Sequence, residues 1–183
     1  LSSYVYGLND SNNLFNGVGT GNFTFEAWFR IYSQSSSTYQ QYGWNRPIHF
    51  HYVDTSSSTG VKAIFARERL SSPSNQLYIW GGDHSVAGAP TTNVGALSAW
   101  NHVVISRTGT SSNALKIYIN NSLEESRTDS TNYSFMTYLT FGVQFHIGQC
   151  TYRYGIFRFY KGKGLTAEEV QTNWEAQKSR FGH

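Results

Sequence analysis

The sequence predicts an all-β domain with one short helix near its C-terminal end. Aromatic residues make up 16% of the 183 residues, with 13 Tyr, 12 Phe and 5 Trp. This composition favours strands, because aromatic side chains fit a pleated, half-buried surface. Many short stretches alternate between apolar and polar residues, and turn-forming Gly, Ser and Asn separate them. This spacing predicts a β-sandwich or β-barrel, here as a single domain over residues 1–183.

The clearest predicted strand runs over residues 23–30. One face carries the apolar residues Phe23, Phe25, Ala27 and Phe29, and the other carries Thr24, Glu26, Trp28 and Arg30. This period of two marks a half-buried strand. Residues 115–119 alternate in the same way and run into Asn120 and Asn121, which tolerate positive φ and suit a tight hairpin. Further strands are predicted over residues 3–7, 47–53, 61–66, 76–81, 101–107, 139–148 and 154–160.

Residues 165–174 carry the signals of the one predicted helix. Thr166 is a suitable N-cap, and Glu169, three residues later, completes a capping box. Leu165 before the cap can pack on Val170 as a hydrophobic staple. Val170 and Trp174 are four residues apart and share one face of the helix. We expect this face to lie on the edge of the sandwich, in a structural role.

Charge and hydrophobicity exclude two classes of partner. The formal net charge is +3, and the basic residues are scattered apart from a loose group formed by Arg153, Arg158, Lys161, Lys163, Lys178 and Arg180. Nucleic-acid binding needs a denser basic stripe. No apolar run approaches the ~20 residues that span a bilayer. We therefore predict neither a nucleic-acid nor a membrane partner.

Cys150 is the single cysteine, so no intrachain disulfide can form. Stability must then come from packing, which suits a reducing compartment or a virus-like particle better than a small secreted scaffold. The sequence has no signal-peptide pattern, and it begins with Leu1 rather than Met. We expect a processed chain, a fragment, or the ordered part of a longer polypeptide.

Three segments carry a family resemblance through their order and spacing. They are residues 21–29, residues 100–107 followed by 115–121, and residues 147–148 together with 158–166. Over residues 20–182 this set resembles the concanavalin A-like lectin/glucanase superfamily, in its laminin-G/pentraxin-like branch. The ending, residues 158–182, is similar to versions of this domain in tailed-phage virion proteins.

The resemblance implies a jelly roll of two antiparallel sheets, used for glycan contact or particle assembly. It also implies a location on a virion or another extracellular surface, with other virion subunits as partners. Many relatives place an acidic pair just before the last strand, where this sequence reads Gly155, Ile156 and Phe157. The calcium role of those acids is therefore not transferred, and we predict no cofactor.

The acidic residues do not form the pattern that a glycosidase needs. Two carboxylates about 5–9 Å apart would flank the sugar bond, yet the eleven acidic residues include no Glu-x-Asp pattern. Glu124 and Glu125 are adjacent, so they fall on opposite faces of a strand. A polysaccharide lyase would need Arg or Gln beside a His/Tyr acid–base pair. The candidates are Arg67, Arg69, His146 and Tyr160, although a surface turn explains the two arginines equally well.

His49 and His51 fall on one strand face, as in some metal sites. A third ligand could come from His102, His146 or Asp54. Two hydrogen-bonding surface histidines explain the pair better, and we predict no metal site.

Glycan binding has the broadest support in the sequence, because sugars stack on aromatic rings and bond to polar side chains. The strand phases place a polar and aromatic set opposite the apolar face, namely Glu26, Trp28, Arg30, His49, His51, Tyr78, Trp80, His102, His146 and Arg158. The loop after Trp80 adds Asp83, and another aromatic-rich loop contains Trp44. The predicted glycan-binding residues are Trp28, Trp44, His49, His51, Trp80, Asp83, His146 and Arg158. Alternatively, these rings simply complete packing, either within the chain or beneath a neighbouring subunit of a homo-oligomer.

The sequence thus favours a non-catalytic virion module, in capsid decoration or in a tail or fibre, that contacts a cell-surface or capsular glycan. The competing class is a carbohydrate-active enzyme, either lyase or hydrolase. A carboxylate pair, or a cluster of Arg, His and Tyr in one groove, would distinguish the two.

Overall fold

The computed structural model describes residues 5–9, 18–34, 44–51, 65–69, 76–80, 91–93, 99–130, 132–133, 138–141 and 150–183. Its strands are β1 (Val5–Asn9), β2 (Phe23–Gln34), β3 (Trp44–His51), β4 (Phe65–Arg69), β5 (Gln76–Trp80), β6 (Thr91–Asn93), β7 (Asn101–Arg107), β8 (Leu115–Ile119), β9 (Ser122–Arg127), β10 (Tyr138–Phe141) and β11 (Cys150–Lys161). Helix α1 (Ala167–Glu175) and a 3-10 turn (Lys178–Phe181) follow β11. A mainly β chain with one C-terminal helix is therefore confirmed over the described ranges.

The described strands form two sets of antiparallel pairs. The five-stranded sheet has the order β11-β2-β7-β8-β9, and the six-stranded sheet has the order β1-β10-β3-β4-β5-β6. Strands β7 and β8 have their predicted bounds, and the other predicted strands overlap observed ones. Neither β6 nor β9 is predicted, because β6 has three residues and β9 is mostly polar.

The hairpin predicted at Asn120 and Asn121 joins β8 to β9. Both residues have positive φ, at 49° and 69°, and Ile119 pairs with Ser122 across them. Asparagine tolerates this left-handed region better than most residues, which fixes the turn at this point of the chain.

One face of the five-stranded sheet is apolar, as the alternation of β2 predicts. Phe23, Phe25, Ala27 and Phe29 are at most 1% exposed. In the register between β2 and β7, Phe25 pairs with Ile105 and Ala27 pairs with Val103, so this apolar surface continues across the neighbouring strand.

The opposite face of the same sheet is covered by α1. Val170 packs in a buried cluster with Val104, Tyr118 and Leu165, and Trp174 joins Phe181 against Trp28. The expectation that this helix lies on the edge of the sandwich is therefore wrong. The helix lies on the sheet face, because its apolar residues find an aromatic and aliphatic surface there.

The start of α1 has the predicted capping box. The Thr166 hydroxyl accepts a hydrogen bond from the backbone N–H of Glu169, and the Glu169 carboxylate accepts one from the backbone N–H of Thr166. Leu165 and Val170 also lie in one buried cluster, as a hydrophobic staple requires.

Residues 163–165 attach this helical segment to the sheet. Thr24 Oγ1 lies 3.0 Å from the carbonyl of Lys163 and accepts from the N–H of Leu165 at 2.8 Å. A Cβ at Gly164 would lie 2.5 Å from the carbonyl oxygen of Arg107. Only glycine allows this close approach without moving backbone.

Gly164→Ala is expected to lower the free energy of unfolding by about 1–3 kcal/mol, because the added methyl group must push apart two backbone segments. Urea denaturation at neutral pH measures the change. The control is Lys163→Ala, which removes the exposed ion pair with Glu169 and should cost no more than about 1 kcal/mol. Equal stability of the two variants would contradict the tight contact at Gly164.

Candidate functional site

The strongest cluster of polar groups surrounds Glu26 at the centre of β2. Its Oε1 accepts from His102 Nε2 on β7 at 3.0 Å and from Arg158 Nη1 on β11 at 2.9 Å. Its Oε2 accepts from the Tyr160 hydroxyl at 3.1 Å and from Asn173 Nδ2 on α1 at 3.0 Å. Two neighbouring strands and the helix therefore converge on one carboxylate. We call these five residues the Glu26 network.

The electrostatics of the network keep Glu26 ionised. Its side chain is 0% exposed, and burial by itself would raise its pKa. The hydrogen bond from His102 and the charge of Arg158 outweigh burial, so the pKa lies below the ordinary value of 4.5. The pKa of Tyr160 is raised, first by burial and then by the Glu26 charge. Because Glu26 is ionised and both of its oxygens accept hydrogen bonds, it has no proton to give. It is therefore poorly suited to general acid catalysis.

An aromatic cluster continues from this network. The Trp28 ring stacks with His102 at 4.8 Å, with Trp174 at 5.1 Å and with Phe181 at 4.4 Å between ring centroids. Gly155 makes room for it, since a Cβ there would lie 2.3 Å from Phe181 Cε1. Residues of β2, of α1 and of the turn after it therefore pack together, and Gly155 of β11 leaves the space that Phe181 fills.

Trp28 is one of the residues predicted to contact a sugar, and the structure corrects this. Its side chain is 0% exposed, because Trp174 and Phe181 cover it. The sequence predicts the correct face of β2 for Trp28, but the helix occupies that face. In this structure a sugar cannot stack on the indole.

Arg158 also lies on the helix-covered face, with its side chain 33% exposed. It is the one predicted glycan-binding residue with a described side chain that solvent reaches. Its contact with Glu26 holds the guanidinium at the rim of the network, where part of it remains accessible.

The other predicted glycan-binding residues within the described ranges lie in the six-stranded sheet. His49 pairs with Phe65, and Phe65 pairs with Trp80, so these positions form one row across β3, β4 and β5. His51 is two positions further along β3, and Trp44 pairs with Arg69. Paired positions and alternate positions share a face. The register therefore places Trp44, His49, His51 and Trp80 on one face, whereas Asp83 and His146 lie outside the described residues.

The lyase candidates are divided between the two sheets. Arg67 and Arg69 belong to β4. Tyr160 belongs to β11, and its hydroxyl donates a hydrogen bond to Glu26. His146 lies outside the described residues. Among the described residues no group of three or more His, Cys, Asp and Glu could hold a metal ion. His102, one proposed third ligand, is instead hydrogen-bonded to Glu26.

A second buried charge, at Arg107, is not predicted from the sequence. Its guanidinium lies 3.2 Å from Asp129 Oδ2, and it donates to the carbonyls of Gly19 and Gly21 at 2.9 Å. Its Cζ also lies 4.6 Å from the centroid of the Tyr133 ring. Alternation along β7 is the sequence signal that could reveal it, because Arg107 falls on the same apolar face as Val103 and Ile105. A charge at a core position indicates a buried ion pair.

A family model described as the concanavalin A-like lectin/glucanases superfamily matches residues 4–171. The chain belongs to this superfamily. The resemblance seen in the sequence is therefore confirmed at this level. Among curated proteins no relative matches the chain. Within the described ranges, no helix of this concanavalin A-like chain combines the length and apolar character needed to cross a bilayer.

Several solved structures share the fold. The binding domain of botulinum neurotoxin serotype D matches with a TM-score of 0.65 at 18% identity, over 97% of this chain and 41% of its own. The serotype G binding domain gives 0.65 at 16% identity, over 94% and 40%. Sialidase from Trypanosoma rangeli, in complex with sialic acid, gives 0.59 at 12% identity, over 90% and 24%. The concanavalin A-like chain spans less than half of each, and such identities show the fold alone.

Glu26→Gln is expected to lower the free energy of unfolding by about 3 kcal/mol at pH 7, because it removes one partner of a buried ion pair. The folded-state pKa of Glu26 is depressed, so its contribution is present above the ordinary pKa of about 4.5 and is lost as pH falls through the folded value. The difference between wild type and variant should therefore shrink below about pH 4.5. Urea denaturation at several pH values measures both effects.

The matched control is Glu175→Gln, which removes a carboxylate that is 50% exposed and pairs with Lys178 on the surface. It should cost less than about 1 kcal/mol. If the two glutamine variants lose stability equally at pH 7, the Glu26 network is not the stabilising element described here.

Proposed function

We propose that this chain is a non-catalytic recognition module that contacts glycans through one face of its six-stranded sheet. The observation that carries the proposal is the register that gives Trp44, His49, His51 and Trp80 a common face. Membership of a superfamily named for its lectins and glucanases supports it. A further support is that Trypanosoma rangeli sialidase, which shares the fold, is seen with bound sialic acid.

The proposal includes a two-layer jelly roll, in which the two sheets pack face to face. The apolar face of the five-stranded sheet must be buried against another part of the chain, because α1 covers only the opposite face. The face of the six-stranded sheet opposite His49 and Trp80 is mostly apolar, with Ile48, Phe50, Ala66, Leu77, Ile79, Leu139 and Phe141, and it also carries Asn45 and Glu68. Burying the apolar positions would stabilise the fold through the hydrophobic effect. The polar and aromatic face would then be left for recognition.

The residue types on this face suit a sugar ligand. Sugars have apolar ring faces that stack on aromatic side chains. These side chains supply a large contact area at a small cost in conformational entropy. Their hydroxyl groups bond to imidazole and guanidinium groups, which His49, His51 and Arg69 would supply. The predicted set also contains Asp83 and His146, which lie outside the described residues, and Arg158, which belongs to the five-stranded sheet and is not part of the proposed face.

The proposed setting is a virion or another extracellular surface, with other virion subunits as partners. The similarity of residues 158–182 to domain endings in tailed-phage virion proteins supports this setting. In the described part of the chain, residues 158–182 include α1, which packs on the five-stranded sheet. A homo-oligomer would be compatible with it.

A second candidate, a polysaccharide lyase, is favoured by one observation. Arg67 pairs with Tyr78 in the register between β4 and β5, and His49 lies on the same face one row away. These are the residue types of a neutralising and acid–base set. Release of unsaturated products, measured by their ultraviolet absorbance, would support the lyase over the binding module.

Trp80→Ala is expected to weaken glycan binding about tenfold, which corresponds to ~1.4 kcal/mol, because a central aromatic contact is lost. A glycan array identifies ligands for the isolated chain, and biolayer interferometry measures the affinities. The matched control is Leu123→Ala on β9, an apolar side chain that is 51% exposed on the other sheet. Failure of the wild-type chain to retain any glycan on the array would overturn the proposal.

A further inference from the structure

The face that carries His49 and Trp80 has an uneven distribution of charge. In the six strands of its sheet, the acidic residues amount to Glu68 alone, while the basic residues include Arg67 and Arg69 on the same strand. Alternation along β4 places Arg67 and Arg69 on the face of Phe65, and it places Glu68 on the opposite face. The register agrees, because Glu68 pairs with Leu77 and Asn45 rather than with a position of the polar face.

The positions next to the two arginines are aromatic. Arg67 pairs with Tyr78, and Arg69 pairs with Trp44. Directly paired positions have Cα atoms about 4.5–5.5 Å apart, and same-face neighbours along a strand are about 7 Å apart. Each of the two arginine positions therefore lies beside one aromatic position on a neighbouring strand, at a spacing comparable with the size of one sugar ring.

We propose that the ligand of this face is an anionic glycan, whose units carry carboxylate or sulfate groups. This inference rests on the proposed function and names the class of glycan. Arginine binds planar carboxylate and sulfate groups through paired hydrogen bonds, and it remains charged at all relevant pH values. Each aromatic position would receive the ring of a sugar unit, while the adjacent arginine receives its acidic group.

The five-stranded sheet provides a comparison within the same chain. There, Arg158 is paired with Glu26 and Arg107 is paired with Asp129, so each cation is neutralised by a carboxylate of the fold. On the polar face of the six-stranded sheet, no described position carries a carboxylate. A bound anion would supply the negative charge that these described positions lack.

Matched pairs of ligands test the inference without any substitution. The probes are polygalacturonate against its methyl-esterified form, and heparin against heparin that has been desulfated, N-acetylated and carboxyl-reduced, each measured at 50 and 300 mM NaCl. We expect at least tenfold tighter binding of one charged form than of its neutralised counterpart, and a loss of that advantage at the higher salt, because screening weakens exposed charge pairs. The shared backbone of each pair removes differences in shape.

The variants Arg67→Gln and Arg69→Gln are each expected to lower affinity for the charged form about tenfold and to leave binding of the neutral form unchanged. Arg127→Gln on β9 removes the same charge from the other sheet and should change neither. Circular dichroism confirms that each variant keeps its strands.

Equal, salt-independent binding of the charged and neutral forms would overturn the anionic class while the proposed glycan contact stands. Absence of binding to any of the four probes and to a glycan array would overturn both.

Discussion

The ionised Glu26 carboxylate links the strands of the five-stranded sheet to helix α1. Removing such an ion from water costs several kcal/mol, and Glu26 is fully buried. Its oxygens accept four hydrogen bonds, and bonds to a charged group contribute about 1.5–3 kcal/mol each. Since Asn173 of α1 is one donor, the carboxylate is fully satisfied only when the helix is docked. Completing the hydrogen bonds of the carboxylate and docking the helix are therefore coupled.

This coupling has a consequence for recognition. With α1 docked, residues 23–29 of β2 are buried on both faces, and the indole of Trp28 is stacked against Trp174 and Phe181. The face of the five-stranded sheet that alternation would assign to a ligand is occupied by the chain itself. The proposed recognition by a sheet face is therefore assigned to the six-stranded sheet, where it depends on the register of β3, β4 and β5.

The sequence predicts the elements better than their arrangement. Alternation predicts β2, β7 and β8, and the spacing of Thr166 and Glu169 predicts the cap of α1, because these signals depend on residues close together in the chain. The position of α1 depends on contacts between distant parts of the chain, such as that of Glu26 with Asn173, 147 residues away, and no local pattern encodes them. A polar residue at alternate positions of a strand looks the same whether water or a helix covers it. For the same reason, the sequence predicts Trp28 in a binding site and does not reveal the Glu26 network.

The register of the six-stranded sheet is equally hidden from the sequence, because pairing shifts between Asn45 and Ile48. Such a shift decides which face Trp44 shares, and a slip of one residue would move every position to the other face. The separation of charges on β4 is more robust. Arg67 and Arg69 flank Glu68, so in any regular strand the two cations share one face and the acid takes the other. The strand periodicity alone therefore keeps Glu68 on the opposite face from both arginines, whatever partner strand they face, and this supports the proposed anionic ligand.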